Sequence, residues 1–533
     1  MAVPTANTWI QVEGLKAAGL NDGSDQAILY VRDLYVILWD RLQKLFEPNH
    51  EYKGLIVEGP PGVGKSLEVW HWASYVSSHL KKKLLWCHIH SSKNVYMIEK
   101  SETCVTRICT LEEASKALET SNCDICILDG YQEKYGLIYE SLFSFRTFPS
   151  RKAVMVSSLA KNFHLESGDL CEVESTFMGG WSLPDLKAAC RNASFYSIVS
   201  PFLEVSCVGP ISGSPGSAQE GADAQGTLGK RPHPSMTSDD IDRIIEHKYF
   251  YAGASARWMF ATRFERLKEI IQWNLDRVPN FETFFQGLCG LRSAHTNHLV
   301  TMFTDASLSS QSKNRNFVSK YVGARLFQTC KTRAFSLAYS LAADNKNPAF
   351  RGWIHEFDLV DQIQALKLIS SPLQLINPTT SRVETLDIAG FEEFDPQFTD
   401  GVQGQLKACY WLRPMRWNQA GYDLVRTSKV NDSKFILQIM QVTGGKTHEL
   451  NLNHFAELAV NVAKTLGEET TVEIYVLVPH SVAQPELKIE NDGTLAAFKV
   501  GSGEEKWEFT QVRRHILFRR FKTREEGPLT SIA

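Results

Sequence analysis

The sequence predicts an α/β protein: a parallel sheet with helices on both faces, a helical segment after it, and a further α/β domain toward the C-terminus. Three observations predict this. Short apolar runs at Gly54–Gly59, Cys123–Asp129 and Lys152–Ser158 alternate with stretches of helical periodicity, the pattern of strands joined by crossover helices. The first run ends in a glycine-rich turn that opens directly into a helix. Composition then breaks between Ser206 and Asp239, where Gly, Ser, Pro, Ala and Gln displace large apolar residues, and patterning resumes in a different order.

At 533 residues the chain exceeds a single core. The expected divisions are a helical segment at 1–46, a nucleotide-binding core at 47–205, a flexible insert at 206–239, a helical lid at 240–335 and a C-terminal domain at 345–525. A net charge of -3 gives no overall pull toward nucleic acid or membrane, so such contacts need local patches. No apolar run approaches the roughly 18 residues of a membrane span, and Met1–Ile10 lacks the basic and apolar regions of a signal peptide. The 11 cysteines have no framework spacing, which points to reduced thiols in the nucleus or cytoplasm. Cys123 and Cys126 match C-x-x-C but lie on an apolar strand without a second pair, so they read as core residues.

Residues 29 to 46 place apolar side chains at helical spacing and predict an amphipathic helix. The strand from Gly54 then reaches Gly59-Pro60-Pro61-Gly62-Val63-Gly64-Lys65-Ser66, which has Walker A spacing. Glycines allow main-chain N–H groups to wrap a polyphosphate, and the helix after the turn offers its positive end. Lys65 is placed to reach the β- and γ-phosphates and Ser66 to ligate Mg²⁺, so the loop implies ATP or GTP as ligand.

Ser66–Leu80 reads as the helix after this loop, and the Lys81–Lys83 run as its solvated end before a strand to His90. A helix at Leu111–Glu119 precedes the strand whose tip is Asp129, the Walker B position that holds the magnesium shell. Gly130 follows, where many hydrolytic relatives carry a water-orienting glutamate, so binding is better supported than hydrolysis. The strand Lys152–Ser158 ends in hydroxyls; Ser157 either watches the γ-phosphate, as a sensor position does in ring-type ATPases, or is an ordinary strand-end serine. Another strand, Leu170–Met178, leads to a helix capped by Ser182 with Pro184 in its first turn. These strands place an extra one between those of Walker A and Walker B. Helices are expected at Asp240–His247, Ala256–Asn274 and Phe281–Phe303. Arg257 at the start of the second either swings onto the γ-phosphate or is a surface arginine.

The C-terminal region orders its polar residues differently. Glu356 sits in a helical stretch at Arg351–Asp361, Asp423 follows Pro414–Tyr422, and Gln441 and Thr443 close the strand Phe435–Thr443. Residues two apart on a strand share a face, so Gln441 and Thr443 can both face Asp423. A helical acid, a strand-end acid and a polar pair on the next strand is the order used by metal-dependent nucleases of the restriction-endonuclease fold, which hold Mg²⁺ on carboxylates. The customary lysine is replaced by Thr443 and the second strand acid by Gln441, while Lys446 or His448 can supply charge or proton handling. Ordinary solvent-face polarity explains the same residues singly. Gln511–Arg524 interleaves basic and apolar residues, as a phosphate-binding face or a solvated terminus would.

Together, Leu29–Arg32 with Tyr35, the Walker A run, Gly253–Arg257, Gly352–Glu356 and Gln441–Thr443 with His448 resemble the Crinkler and retrotransposon hot spot families. The resemblance spans about Leu29 to Phe521 and implies a P-loop NTPase joined to a restriction-endonuclease-like domain. It assigns the nuclease-like site to Glu356, Asp423 and Gln441. It further implies DNA cleavage controlled by the NTPase and, for Crinklers, secretion and action on host proteins or DNA in a host nucleus. The N-terminus departs from the Crinkler translocation header. The leading expectation is therefore an NTP-dependent, magnesium-requiring nuclease. Its rivals are a non-catalytic nucleotide-switched effector and a ring-forming remodelling ATPase that oligomerises.

Overall fold

The computed structural model describes residues 3–21, 24–47, 50–90, 93–100, 104–132, 135, 138–143, 149–158, 172–203, 237–278, 298–303, 314–344, 348–394, 409–414, 422–431, 434–445, 447–466, 469–490 and 516–524. Most of the expected insert, and Lys446, lie outside them. The chain divides into two compact units, residues 1–202 with 251–357 and residues 203–250 with 358–533.

The first unit begins with an antiparallel pair, β1 (Thr8–Glu13) and β2 (Gln26–Val31), followed by α1 (Asp33–Lys44). This corrects the helix expected from Leu29. Leu29, Tyr30 and Val31 finish β2 opposite Ile10, Trp9 and Thr8, a distant pairing that local periodicity does not register. There follow β3 (Gly54–Gly59), α2 (Lys65–His79), β4 (Leu84–Ile89), β5 (Val95–Lys100), β6 (Cys104–Cys109), α3 (Leu111–Thr120), β7 (Ile125–Tyr131), α4 (Ile138–Leu142), β8 (Lys152–Ser158) and β9 (Val173–Phe177).

Seven strands form one sheet in the order β6-β5-β4-β7-β8-β3-β9. The pairings among β4, β7, β8, β3 and β9 are parallel, while β5 and β6 extend the sheet antiparallel. β8 separates the Walker A strand from the Walker B strand, as the order of apolar runs predicts. Strand alternation gives the sheet two faces. Leu85, Cys87, Leu128 and Met155 share one core with Ala114 and Leu118 of α3. On the other face Trp86 packs 5.0 Å from Trp70 of α2. The margin strand β6 is open, with Val105 50% and Ile108 60% exposed.

Ser182 caps α5 (Leu183–Ala189), accepting from the Asp185 N–H, with Pro184 in the first turn as the sequence predicts. α6 (Ala193–Leu203), α7 (Ser238–Ala252), α8 (Ala256–Phe260) and α9 (Phe264–Leu275) continue the chain. The helix expected over Ala256–Asn274 is thus interrupted between Phe260 and Phe264. At the end of the helix expected over Phe281–Phe303, Val300–Phe303 is instead β10, paired antiparallel with β11 (Asn314–Phe317). α10 (Lys320–Asp344) and α11 (Pro348–Leu368) follow, and the division between units falls within α11, after Phe357.

The second unit adds β12 (Leu373–Ile376), β13 (Val383–Leu386), β14 (Gly390–Phe394), β15 (Tyr410–Pro414), β16 (Leu424–Asn431), β17 (Lys434–Val442), β18 (Thr447–Asn451), α12 (Leu452–Leu466), β19 (Glu469–Pro479), β20 (Glu486–Glu490) and β21 (Ile516–Phe521). Eight of these strands make a mixed sheet in the order β13-β12-β21-β19-β17-β16-β15-β14. Phe455 and Ala459 of α12 bury against Leu437, Ile439 and Ile474 on one face. Leu359 and Ile363 of α11 bury against Met440, Leu477 and Trp411 on the other. Of the basic C-terminal stretch, Ile516–Phe521 is the inner strand β21, where Arg519 Nε lies 2.6 Å from Glu384 Oε2. Among the described residues, no helix is long and apolar enough to cross a membrane.

Candidate functional site

The phosphate loop starts where β3, buried between β8 and β9, runs out. A Cβ at Gly59 would run into the carbonyl oxygen of Met178, so the strand exit admits only glycine without rearrangement. Gly62 and Gly64 turn the chain with φ of 80° and 106°, conformations that favour glycine. Lys65 opens α2, and its Nζ donates to Gly59 O at 2.9 Å and Pro60 O at 2.8 Å. Burial pushes the Lys65 ammonium down to about 7, with Arg257 adding to the effect and Asp129 opposing it.

Two further carbonyls of the loop are claimed by other elements. Gly62 O accepts the Arg257 N–H at 3.1 Å. Val63 O accepts from Arg32 Nη2 at 3.1 Å and Trp181 Nε1 at 2.9 Å. The Arg32 guanidinium also sits 4.7 Å from the Trp181 ring centre and 3.5 Å from Glu68 Oε1. Burial pushes the Glu68 carboxyl up to about 7 against the pull of Arg32 and Lys65. Arg32 follows β2 and Tyr35 is in the first turn of α1, where its hydroxyl donates to Glu68 O at 3.2 Å. Arg32 is thus tied to the loop and Tyr35 to the first turn of α2.

α8 is pressed onto the loop. A Cβ at Gly62 would lie 2.7 Å from Ser255 Oγ and 2.8 Å from Arg257 Cβ. Its approach is fixed by Ala254, whose N–H donates to Val318 O at 3.0 Å and whose carbonyl accepts the Trp181 N–H at 2.9 Å. The Arg257 side chain is exposed to solvent, with its pKa lowered by partial desolvation and raised by the nearby Asp129. Arg257 is thus an exposed arginine whose main chain is tied to the loop.

Asp129 is fully buried near the tip of β7. Its Oδ1 accepts from Ser66 Oγ at 2.8 Å, and its Oδ2 faces His88 Nδ1 at 2.6 Å. The residues expected to flank a magnesium ion are therefore in contact. Ser157 is disposed otherwise: its hydroxyl lies 3.1 Å from both Tyr131 O and Ser158 O, and alternation from Ala153 and Met155 puts it on the α3 side of the sheet. That geometry commits it to main-chain carbonyls, away from the face that carries α2.

In the second unit Asp423 stands immediately before β16. Its Oδ2 accepts from Gln441 Nε2 at 2.6 Å and from the Val442 N–H at 2.8 Å. Asp423 and Gln441 are thus brought together on neighbouring strands. Thr443 is buried just beyond β17, where its Oγ1 accepts the Gly445 N–H at 3.3 Å. His448 lies on β18, in a separate two-stranded sheet with β20, and burial lowers its pKa. Glu356 is counted with the first unit and is paired with buried Lys320 at 2.6 Å. Among the described residues, no three of His, Cys, Asp or Glu are grouped to hold a metal ion.

Sequence reasoning missed Glu68, His88 and Trp181, and gave Arg32 no role. Their contacts join segments 31 to 118 residues apart in the chain, so spacing alone could not assemble them. The signals available were a glutamate three residues after Lys65 and a histidine at a strand end.

No family model matches the chain, and no curated protein matches it. Among solved structures it is similar to one described as the crystal structure of a DNA replication initiation factor, at 9% identity and a TM-score of 0.24, covering 59% of this chain and 83% of that one. A likeness of that degree carries no argument about either unit.

Proposed function

We propose that the first unit binds ATP or GTP with Mg²⁺, and that the bound nucleotide governs how the second unit engages DNA. The contact between Ser66 and Asp129 carries this reading, because it sets a hydroxyl and a buried carboxylate 2.8 Å apart beside a complete Walker A loop. Hard oxygen donors of this kind fit magnesium, and the glycine cradle fits a polyphosphate. Ser66 and Asp129 would hold the ion, which neutralises phosphate charge when bound. Lys65 would exchange the carbonyls of Gly59 and Pro60 for phosphate oxygens. Arg257, tied to the loop through Gly62, is the candidate for the γ-phosphate. Gly130 in place of a glutamate favours binding and slow turnover over rapid hydrolysis.

A metal-dependent nuclease, as the Crinkler and retrotransposon hot spot resemblance implies, is the second reading, favoured by the Asp423–Gln441 contact in a helix–sheet–helix unit. Its donor set does not fit a resident magnesium ion as disposed. Gln441 presents an N–H to Asp423, and Val442 claims the same carboxylate oxygen. The non-cleaving switch therefore stands first. Action on host proteins in a nucleus belongs with the effector reading, and ring assembly is a separate outcome that light scattering with and without nucleotide would reveal.

The test is fluorescent-ATP binding by wild type and Lys65→Ala, together with supercoiled plasmid incubated with Mg²⁺ in the presence and absence of ATP. Binding lost in Lys65→Ala without plasmid nicking supports the switch. Nicking abolished by Asp423→Ala establishes the nuclease instead. Equal nucleotide binding by both proteins sinks the reading of the loop.

A further inference from the structure

Asp129 makes two contacts of different kinds. One oxygen meets Ser66, the expected magnesium neighbour, and the other meets His88 at 2.6 Å. His88 stands directly opposite Asp129 in the parallel pairing of β4 with β7, so the contact is set by sheet register rather than by a mobile loop. Strand neighbours in register hold their side chains side by side on one face. An ionised carboxylate can only accept, so in the contact of His88 Nδ1 with Asp129 Oδ2 the proton belongs on His88 Nδ1.

The residue after Asp129 explains why such a partner matters. The register of β7 with β8 shifts between Asp129 and Tyr131, and Gly130 takes a φ of 78°. A Cβ there would lie 2.8 Å from the carbonyl oxygen of Ile89, the residue next to His88. A glutamate side chain is thus excluded from position 130 by the backbone of the same strand that carries His88. The site lacks the acid that customarily follows Asp129 and has a histidine bonded to Asp129 from the side.

We propose that His88 is a positioning residue for magnesium binding, acting through Asp129: its Nδ1–H fixes the carboxylate so that the oxygen facing Ser66 is presented to the ion. The proposal rests on the reading of the loop as a magnesium–nucleotide site. Outer partners of metal-ligating groups act in this way, orienting the ligand without touching the metal. Without His88, Asp129 keeps only the Ser66 contact of these two, and its carboxylate can rotate.

The experiment titrates Mg²⁺ against a fluorescent ATP analogue bound to the full chain, with EDTA controls. His88→Ala is expected to raise the half-saturating Mg²⁺ concentration by about 10-fold or more, the usual scale for losing such a partner. His88→Asn, whose amide N–H can occupy the place of Nδ1, should restore most of the loss, and His88→Gln, whose amide reaches the place of Nε2, should not. Metal-free nucleotide binding should be equal in all four proteins. Wild-type magnesium dependence in a folded His88→Ala overturns the proposal, as does equal behaviour of the Asn and Gln variants, which remains decisive should the alanine variant fail to fold. Absence of nucleotide binding by wild type at every Mg²⁺ concentration overturns the loop reading, and the proposal with it. Magnesium-supported binding in wild type with an unshifted His88→Ala overturns the proposal alone.

Discussion

Arg257 reaches the phosphate loop through its main chain, donating its N–H to the carbonyl of Gly62 at 3.1 Å. The anchor is indifferent to the side chain, while the guanidinium interacts with Asp129 and depresses the Lys65 pKa. Arg257→Ala is therefore expected to fold and to bind ADP like wild type, yet to lose about 10-fold of its preference for ATP, the loss expected of one charge-assisted contact to the terminal phosphate. Competition binding of the two nucleotides checks this, and an unchanged preference would remove Arg257 from the γ-phosphate.

Lys65, pushed down to about 7 by burial, should make nucleotide affinity depend on pH. Phosphate favours the charged lysine, so binding to the neutral form takes up a proton. Affinity should be level below about pH 7 and fall above it, at most by about 10-fold per pH unit. In Lys65→Met the fall should vanish and affinity be low throughout. Fluorescence titrations between about pH 6 and 9 read the result.

Arg32 and Glu68 are both buried, and breaking such a pair from one side leaves the other uncompensated. Arg32→Met should cost about 3 kcal/mol of stability by denaturant unfolding at neutral pH, and loosen the loop by removing a donor to Val63 O. Glu68→Gln tests the raised carboxyl. Its folded value of about 7 lies above the ordinary 4.5, so between those values the folded chain holds a proton that the unfolded chain has released. Wild-type stability relative to Glu68→Gln should fall as pH rises through that window and be level above it.

Gly253 packs its backbone against Val318, just past the end of β11. Its φ is 54°, and a Cβ would run into Val318 O, the acceptor of the Ala254 N–H. Gly253→Ala should lower stability by about 2 kcal/mol or more through strain and the displaced hydrogen bond, seen as a lower Tm. Gly352→Ala is the control, since nothing lies within 4 Å of a Cβ there.

The thiols of the first unit should differ sharply in reactivity. Cys126 is pushed up to about 12 by burial and Cys87 is raised as well, whereas Cys104 on β6 is exposed. Among the described cysteines, iodoacetamide at pH 8 should label Cys104 first and Cys126 only after denaturation. Early labelling of Cys126 by peptide mass mapping would contradict the packing of that core.

Legibility followed sequence distance. The Walker A loop is one contiguous run whose glycines and lysine have fixed jobs, so its geometry could be read directly, and the apolar runs gave both the strands and the separation of β3 from β7. Asp129 could be named because a strand tip after a phosphate loop has a short list of uses. Leu29–Val31 was misread because its partner lies in β1, and Val300–Phe303 because its partner lies in β11. The residues that strap the loop come from the end of β2, the turn after β9 and α8, and the partner of Asp129 comes from β4; only the folded chain brings them together. Ser157 was placed on a strand end, as β8 has it, but the main-chain carbonyls of Tyr131 and Ser158 beside its hydroxyl were not legible from the run itself.

The open margin at β6 has its own consequence for handling the protein. Val105 and Ile108 are exposed on β6, which ends its sheet among the described residues, and Arg107 is the cation between them. An unguarded edge of that kind is a template for the same strand of a neighbour, and one positive charge is a recognised deterrent. Neutralising Arg107 should bring on concentration-dependent precipitation with no change in fold, and a second charge at Ile108 should extend the shelf life of concentrated samples.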